Sequence, residues 1–203
     1  VVRKRLSDLG AVPGDTNILT VPVAVLRREL ESDPLIAEAR ILRRLPDTVN
    51  VTIMERTPIA AIQCAAKCFV DATGIVLPWR DVSKERVLPL ITGVRSAHKL
   101  KPGMEVHDDA LRGAVRLLRL LASRPDGVTY DVAVIQLDYY LPSLRLHLRP
   151  RGAFRDGAIV VIPVTGMEEA LNRLRDIYRL RADEGLSIGY VDASYQKNVP
   201  VRP

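Results

Sequence analysis

The sequence lacks long apolar runs, has only two cysteines, and draws 4% of its 203 residues from the aromatic types. A membrane-spanning helix needs about 20 consecutive, mostly apolar residues, so none is predicted within this sequence. No charged-then-apolar leader opens it. Val1 instead begins an amphipathic helical pattern with no cap before it, so we expect the natural protein to continue upstream.

The net charge does not identify a nucleic-acid partner. Lys and Arg number 30 and Asp and Glu number 24, which gives a formal charge of +6. Such a surplus is compatible with nucleic acid or an anionic membrane surface as a partner. The basic residues are spread along the chain without a dense run, and no nucleic-acid-binding signature is present. The sequence therefore predicts no nucleic-acid partner.

The two cysteines, Cys64 and Cys68, do not form a recognisable metal site. His98, His107 and His147 stand at no ligand spacing from them, and two thiolates are too few ligands for structural zinc. A free-thiol pair is the simpler interpretation. A disulfide across a tight loop between two strands is the alternative. No metal and no cofactor are predicted.

The clearest structural pattern is a hairpin between residues 32 and 58. Apolar residues alternate with more polar ones at Ala37, Ala39 and Ile41 and again at Val49, Val51 and Ile53. This period of two predicts strands, and Pro46-Asp47 predicts the turn between them. Amphipathic helices are predicted upstream, at residues 1–9 and Pro22 to Glu31. Two helices on so small a sheet predict an α+β unit whose third strand precedes Val1.

After Pro58 the pattern is largely β. Strands are predicted at residues 60–64, 68–71, 75–77, 87–91, 128–139, 143–148, 158–162, 187–193 and 195–202, and helices at 109–122 and 165–181. Pro89 inside one strand predicts an edge position for it. Asp108 is expected to cap the first helix, and Thr165 with Glu168 has capping-box spacing at the second. We expect a mostly antiparallel sheet of about nine strands carrying two helices.

No catalytic constellation is present. The serines and histidines occur in no nucleophile-elbow or zinc-protease context, and no glycine-rich phosphate loop appears. Asp108-Asp109 is better explained as helix-start chemistry than as a carboxylate pair, because acidic groups favour that end of the helix dipole. The sequence predicts a binding module and no enzyme.

Seven short motifs occur in an order that resembles one protein family. They are GDTNIL at 14–19, PLIAEA at 34–39, RLPDT at 44–48, ERTPIA at 55–60, FVDATG at 69–74, LPLITG at 88–93 and YVDASY at 190–195. Each motif is weak alone. Together they resemble the extracytoplasmic region of the bacterial cell-division family FtsQ, called DivIB in Gram-positive bacteria.

This resemblance implies a domain organisation and a location. Residues 1–57 would form a POTRA domain whose first strand lies upstream, and residues 58–203 the β domain of the family. One transmembrane helix before Val1 would anchor the protein in the inner membrane, with this region in the periplasm at the division septum. An oxidising compartment also makes a bridge between Cys64 and Cys68 more plausible.

The resemblance implies a scaffold that binds the FtsB and FtsL pair (DivIC and FtsL) and other division proteins, and that helps to control septal cell-wall synthesis. In the family, the partner adds to the C-terminal part of the β domain. Carried over by position, the partner-binding residues are Tyr195, Asn198, Val199, Val201 and Arg202. The motif places Arg before its Tyr, but here the residue is Ser194. Pro200 cannot donate to a strand ladder.

Two other functions remain open at this point. A POTRA-containing module of outer-membrane assembly or secretion would show repeated POTRA units or a long barrel, and neither pattern is visible in this sequence. An envelope enzyme acting on peptidoglycan would need acidic or nucleophilic residues that converge in a cleft.

Overall fold

A computed structural model describes residues 17–64, 68–79, 87–196 and 198–203. The helix predicted at residues 1–9 lies outside these ranges. Contacts within the chain divide it into two compact units, residues 1–57 and residues 58–203. The α+β class is confirmed, with helices and sheet in both units.

The described part of the first unit consists of one helix and one hairpin. Helix α1 spans Val23–Glu31, and strands β1 (Ile36–Arg44) and β2 (Thr48–Glu55) pair antiparallel. Leu26 and Leu30 of α1 are buried with Ala39 and Ile41 of β1. The predicted position of Ala37 on the apolar face is wrong. The register shifts between Ile36 and Glu38, which buries Ile36 and exposes Ala37.

The second unit is built on a sheet of nine strands. In chain order they are β3 (Pro58–Ile62), β4 (Cys68–Asp71), β5 (Val76–Pro78), β6 (Leu90–Thr92), β7 (Val132–Asp138), β8 (Ser143–Leu148), β9 (Ala158–Pro163), β10 (Tyr190–Asp192) and β11 (Val201–Arg202). Their order across the sheet is β11-β10-β9-β8-β7-β6-β3-β4-β5. Five of the eight pairings are antiparallel and three are parallel. The prediction of a mostly antiparallel sheet is confirmed.

Two helices, α2 (Asp109–Ser123) and α3 (Met167–Asp183), pack on this sheet. Buried leucines on both helices meet the alternate, inward residues of the central strands, which form the main core. In β8 the residues Leu144, Leu146 and Leu148 are buried while Arg145 is exposed. The predicted solvent-facing side of this strand is therefore confirmed.

The predicted edge position of the strand near Pro89 is wrong. Strand β6 begins at Leu90 and lies inside the sheet, parallel to both β3 and β7. Pro89 precedes the strand, and its carbonyl accepts a hydrogen bond from the Ala61 N–H at 2.9 Å. Because Pro89 lies before the first residue of β6, the sheet can accommodate its missing N–H there.

The two helix starts differ from each other. The Asp108 side chain accepts a hydrogen bond from the Leu111 N–H at 3.0 Å, so the predicted cap of α2 is confirmed. The capping box predicted for α3 is wrong, because the N-cap is Gly166 and no side chain caps it. Gly166 adopts φ +66°, a left-handed conformation that favours glycine. Glu168 and Glu169 still place negative charge in the first turn.

Cys64 and Cys68 flank the link between β3 and β4. In the structure their Sγ atoms lie next to each other, with the Cα atoms 6.4 Å apart, a separation that a disulfide can span. The arrangement is compatible with the disulfide alternative, which stays a prediction.

Candidate functional site

Strand β11 lies at one edge of the nine-stranded sheet and is much shorter than predicted. Val201 pairs with Val191, and Arg202 pairs with Tyr190, in antiparallel register. The strand predicted from Tyr195 to Arg202 is wrong over most of its length, because among its described residues only Val201–Arg202 is strand. Tyr195 lies in the connection that precedes it.

The backbone of β11 has one side facing β10 and one side facing away. The Pro200 carbonyl accepts from the Asp192 N–H at 3.1 Å, and the Arg202 carbonyl accepts from the Gly189 N–H at 2.9 Å. Backbone groups alternate in direction along a strand. The N–H and C=O of Val201 therefore face outward, where the sheet has no further strand among the described residues.

Pro200 does not interrupt this outer side. Its carbonyl points at β10, and the nitrogen of a strand residue faces the same side as its carbonyl. The missing N–H of Pro200 is thus lost from the pairing with β10, which helps to explain why β11 is short. The outward donor and acceptor of Val201 are intact.

The side chains of this edge divide between the two faces of the sheet. Val199 and Val201 are half-buried and pack against the main core. Arg202 is exposed, and its guanidinium carbon lies 5.7 Å from the centroid of the Tyr190 ring, within cation–π range. The core contacts of the valines hold β11 in place while Arg202 keeps its charge in solvent.

Tyr190 and Asp192 form a polar pair beside Arg202. The Tyr190 hydroxyl donates to Asp192 Oδ2 at 3.4 Å. Burial raises the pKa of Tyr190, and the nearby Asp192 carboxylate raises it further. Asp192 Oδ1 accepts from the Ser194 N–H at 3.0 Å. Ser194 thus takes part in a local turn at the position where the family motif has Arg.

The connection between β10 and β11 presents two of the predicted site residues. Tyr195 is 54% exposed, and Asn198 is exposed with φ +52°. Asn is among the few residues that tolerate this left-handed conformation. The structure therefore places Val199, Val201 and Arg202 together at the edge, with Tyr195 and Asn198 in the preceding loop.

Two residues that the sequence analysis missed support this edge. Arg173 of α3 donates from its guanidinium to the Ala193 carbonyl at 2.7 Å. Gly189 lets the chain end approach closely, since a Cβ there would lie 2.6 Å from the Pro203 carbonyl oxygen. A glycine in a predicted strand often marks a site where another backbone segment approaches closely, so Gly189 could have been recognised from the sequence. Arg173 gave no signal, because it lies outside the apolar stripe of its helix.

No metal or membrane-spanning element is found among the described residues. Their His, Cys, Asp and Glu side chains form no group of three or more that could hold a metal ion. None of their helices is both long enough and apolar enough to cross a membrane.

Comparisons with known proteins agree on one group. Residues 3–56 match the family model "POTRA domain, FtsQ-type". The chain is 25% identical to the cell division protein FtsQ of Geobacter sp. (strain M21) over 203 residues, covering 100% of the chain and 71% of the relative. It is 29% identical to FtsQ of Syntrophotalea carbinolica over 202 residues, covering 97% and 66%. DivIB of Clostridium tetani is 20% identical over 190 residues, covering 92% and 69%. The chain thus spans about two thirds of the length of these relatives.

Proposed function

We propose that the chain is the extracytoplasmic part of a non-enzymatic divisome scaffold of the FtsQ/DivIB family, because it matches the FtsQ-type POTRA model and resembles FtsQ and DivIB proteins over nearly all of its length. Residues 1–57 serve as its POTRA domain and residues 58–203 as its β domain. A membrane helix outside this sequence anchors it in the inner membrane, so that this region lies in the periplasm at the septum. There it binds FtsB- and FtsL-type proteins and coordinates septal cell-wall synthesis.

The observation that carries the proposal is the outward-facing N–H and C=O of Val201 at the sheet edge. An extended segment of a partner can pair with such groups by adding a strand to the sheet. Main-chain hydrogen bonds then provide affinity, and alternate side chains provide specificity. The two-residue length of β11 predicts a short ladder that needs further contacts nearby.

Those further contacts come from the exposed residues on either side of Val201. Arg202 is exposed and is suited to a carboxylate of the partner, because its planar fork can bind both oxygens. Tyr195 offers a large amphipathic ring of the kind enriched at the centre of interfaces. Asn198 and Val199 shape the loop between them.

Isothermal titration with a synthetic peptide from the extracytoplasmic part of an FtsB-type protein tests the strand pairing. Val201→Pro removes the outward N–H but no hydrogen bond to β10. We expect it to cost about 1–3 kcal/mol of binding free energy, because the acceptor on the partner is left unpaired. This corresponds to a rise of about fivefold to 150-fold in Kd.

Val201→Ala is the matched control, because it also loses the half-buried valine side chain but keeps the N–H. It should bind close to wild type, and both variants should unfold at similar temperatures. Equal affinities for Val201→Pro and Val201→Ala would move the binding site away from this edge.

We also propose that Cys64 and Cys68 are bridged in the periplasm. Thiol labelling of the unfolded chain, before and after reduction, tests this. Labelling should require reduction, and full labelling of the unreduced protein would contradict the bridge.

A further inference from the structure

The chain leaves β10 through one residue that is held from two sides. Ala193 is fully buried. Its N–H donates to the Val161 carbonyl of β9 at 2.9 Å, and its carbonyl accepts from the Arg173 guanidinium at 2.7 Å. Strand and helix thus fix the same peptide unit immediately before the loop that carries Tyr195.

Arg173 projects from a rigid support. Its neighbours on α3, Leu171 and Leu174, are almost completely buried in the main core. The side chain of Arg173 is half-buried, and its Nε is buried with no hydrogen-bond partner among the described residues. Burying part of a guanidinium is costly, so the bond to Ala193 is the contact that offsets this cost.

The loop after Ala193 is closed at both ends. Ser194 is bound at its start by the Asp192 carboxylate, and the Pro200 carbonyl accepts from the Asp192 N–H at 3.1 Å at its end. Residues 193–200 therefore begin and finish beside Asp192. Arg173 is the only one of these loop contacts that comes from the helix layer beneath the sheet, within the described part of the chain.

We propose that Arg173 is a positioning residue for the partner-binding edge. It holds the Ala193 carbonyl so that Tyr195 and Val201 are already ordered when a partner strand arrives. Binding then avoids much of the conformational entropy that an unanchored loop would lose. This inference rests on the proposed function, since it assigns Arg173 to the same edge.

Hydrogen exchange followed by NMR tests the positioning without any partner. Arg173→Met keeps much of the side-chain stem and removes the donors. We expect faster exchange at the amides of Asp192, Ala193 and Ser194, which are hydrogen-bonded at the two ends of this loop. The β8 amides should be unchanged.

Variants at this position and on the same helix supply the controls. Arg173→Lys should restore part of the protection, because an ammonium can still donate to the carbonyl. Arg179→Ala, an exposed position on the same helix, should exchange as wild type does.

Titration with the FtsB-type peptide supplies the second readout. Arg173→Met should raise Kd about tenfold, which corresponds to the ordering of one or two side chains, and Arg173→Lys should recover part of it. Unchanged loop exchange in Arg173→Met would overturn the inference, and so would a uniform rise that includes β8. A wild-type chain that fails to bind the peptide would instead contradict the proposed function, while the exchange data would still decide the role of Arg173.

Discussion

The two edges of the nine-stranded sheet are treated in opposite ways. At β5, the Val76 N–H donates to the Met104 carbonyl at 2.9 Å and the Val76 carbonyl accepts from the Gly103 N–H at 2.8 Å. At β11, the corresponding groups of Val201 have no strand beside them among the described residues. An exposed strand edge invites pairing with another chain. The covered edge is closed to association, and the open one is available for it.

The cover on β5 is a short segment of the same chain. Ile75 forms an antiparallel bridge with Glu105, and the Val106 N–H donates to the Gly74 carbonyl at 2.9 Å. Gly103 adopts φ +88°, which lets the segment turn sharply against the strand. Covering an edge with a loop in this way is a common protection against unwanted pairing.

In the first unit, strand β1 has an edge that is partly covered, unlike the covered edge at β5 and the open edge at β11. The Glu31 carboxylate of α1 accepts from the Ala39 N–H at 3.2 Å. A side chain rather than a backbone segment thus occupies one donor of this strand. At β11, by contrast, both outward groups of Val201 lack a neighbouring strand among the described residues.

The largest expected effect comes from disturbing the turn that leads into the covered edge. Asp71 is 4% exposed, and its Oδ1 accepts from the Thr73 N–H and the Ile75 N–H, both at 2.9 Å. Asp71→Ala leaves these donors without the carboxylate and should lower the free energy of unfolding by about 2–3 kcal/mol.

Urea denaturation measures this loss, with Asp71→Asn as the control that keeps an oxygen acceptor and loses less stability. Peptide binding at β11 should be unchanged in both variants, because the other edge is intact. Weakened binding with unchanged stability would show that the two edges do not act separately.

A smaller effect is expected from crowding the open edge. Gly189→Ala introduces a Cβ about 2.6 Å from the Pro203 carbonyl oxygen, a distance that forces the chain end to move. Overpacking of this kind costs about 1–3 kcal/mol. Here the clash weakens the pairing of β11 with β10. Peptide affinity should fall about tenfold, while the melting temperature changes little.

Residue 189 is not in a left-handed conformation. Gly189→Ala therefore tests the steric clash with the chain end and introduces no backbone strain of its own. Gly185→Ala, at φ +69° with open space around it, is the comparison for strain alone and should leave binding unchanged. Full affinity in Gly189→Ala would mean that the position of β11 does not matter for the partner.

The smallest expected effect concerns alkaline pH. Burial and the Asp192 carboxylate raise the pKa of Tyr190, so the folded chain keeps this phenol neutral to higher pH than the unfolded chain does. The resulting stability is complete below about pH 10, the ordinary value for Tyr, and is lost as pH rises through the folded pKa. Tyr190→Phe should remove this loss and unfold slightly less readily in alkali.

Circular dichroism across the alkaline range checks the effect. Burial raises the pKa of Tyr130 as well, so most of the alkaline loss should persist in Tyr190→Phe and diminish in Tyr130→Phe. Greater alkaline sensitivity of Tyr190→Phe would contradict the expected sign.

Local patterns predicted much of this fold. Alternation alone located β8 at Ser143–Leu148, and helix periodicity with the Asp108 cap located α2, because both signals depend on near neighbours in the sequence. The interior position of β6 was missed, because a proline at a strand boundary resembles a proline within a strand until the neighbouring strands are known.

The candidate site was predictable only in outline. Its place at the C-terminal edge followed from the family resemblance. The length of β11 did not, because Pro200 and the left-handed Asn198 end the ladder although the valines alternate as in a strand. Arg173 was missed because its contact joins residues that are 20 positions apart.

The central claim is that Val201 is the residue at which a partner strand joins this sheet. Amide hydrogen exchange of the free chain and of its complex with the FtsB-type peptide tests it most directly. The Val201 amide should exchange rapidly in the free chain and become protected in the complex, while the Val76 amide is protected in both. A complex that forms with the Val201 amide still exchanging at its free rate would contradict the claim.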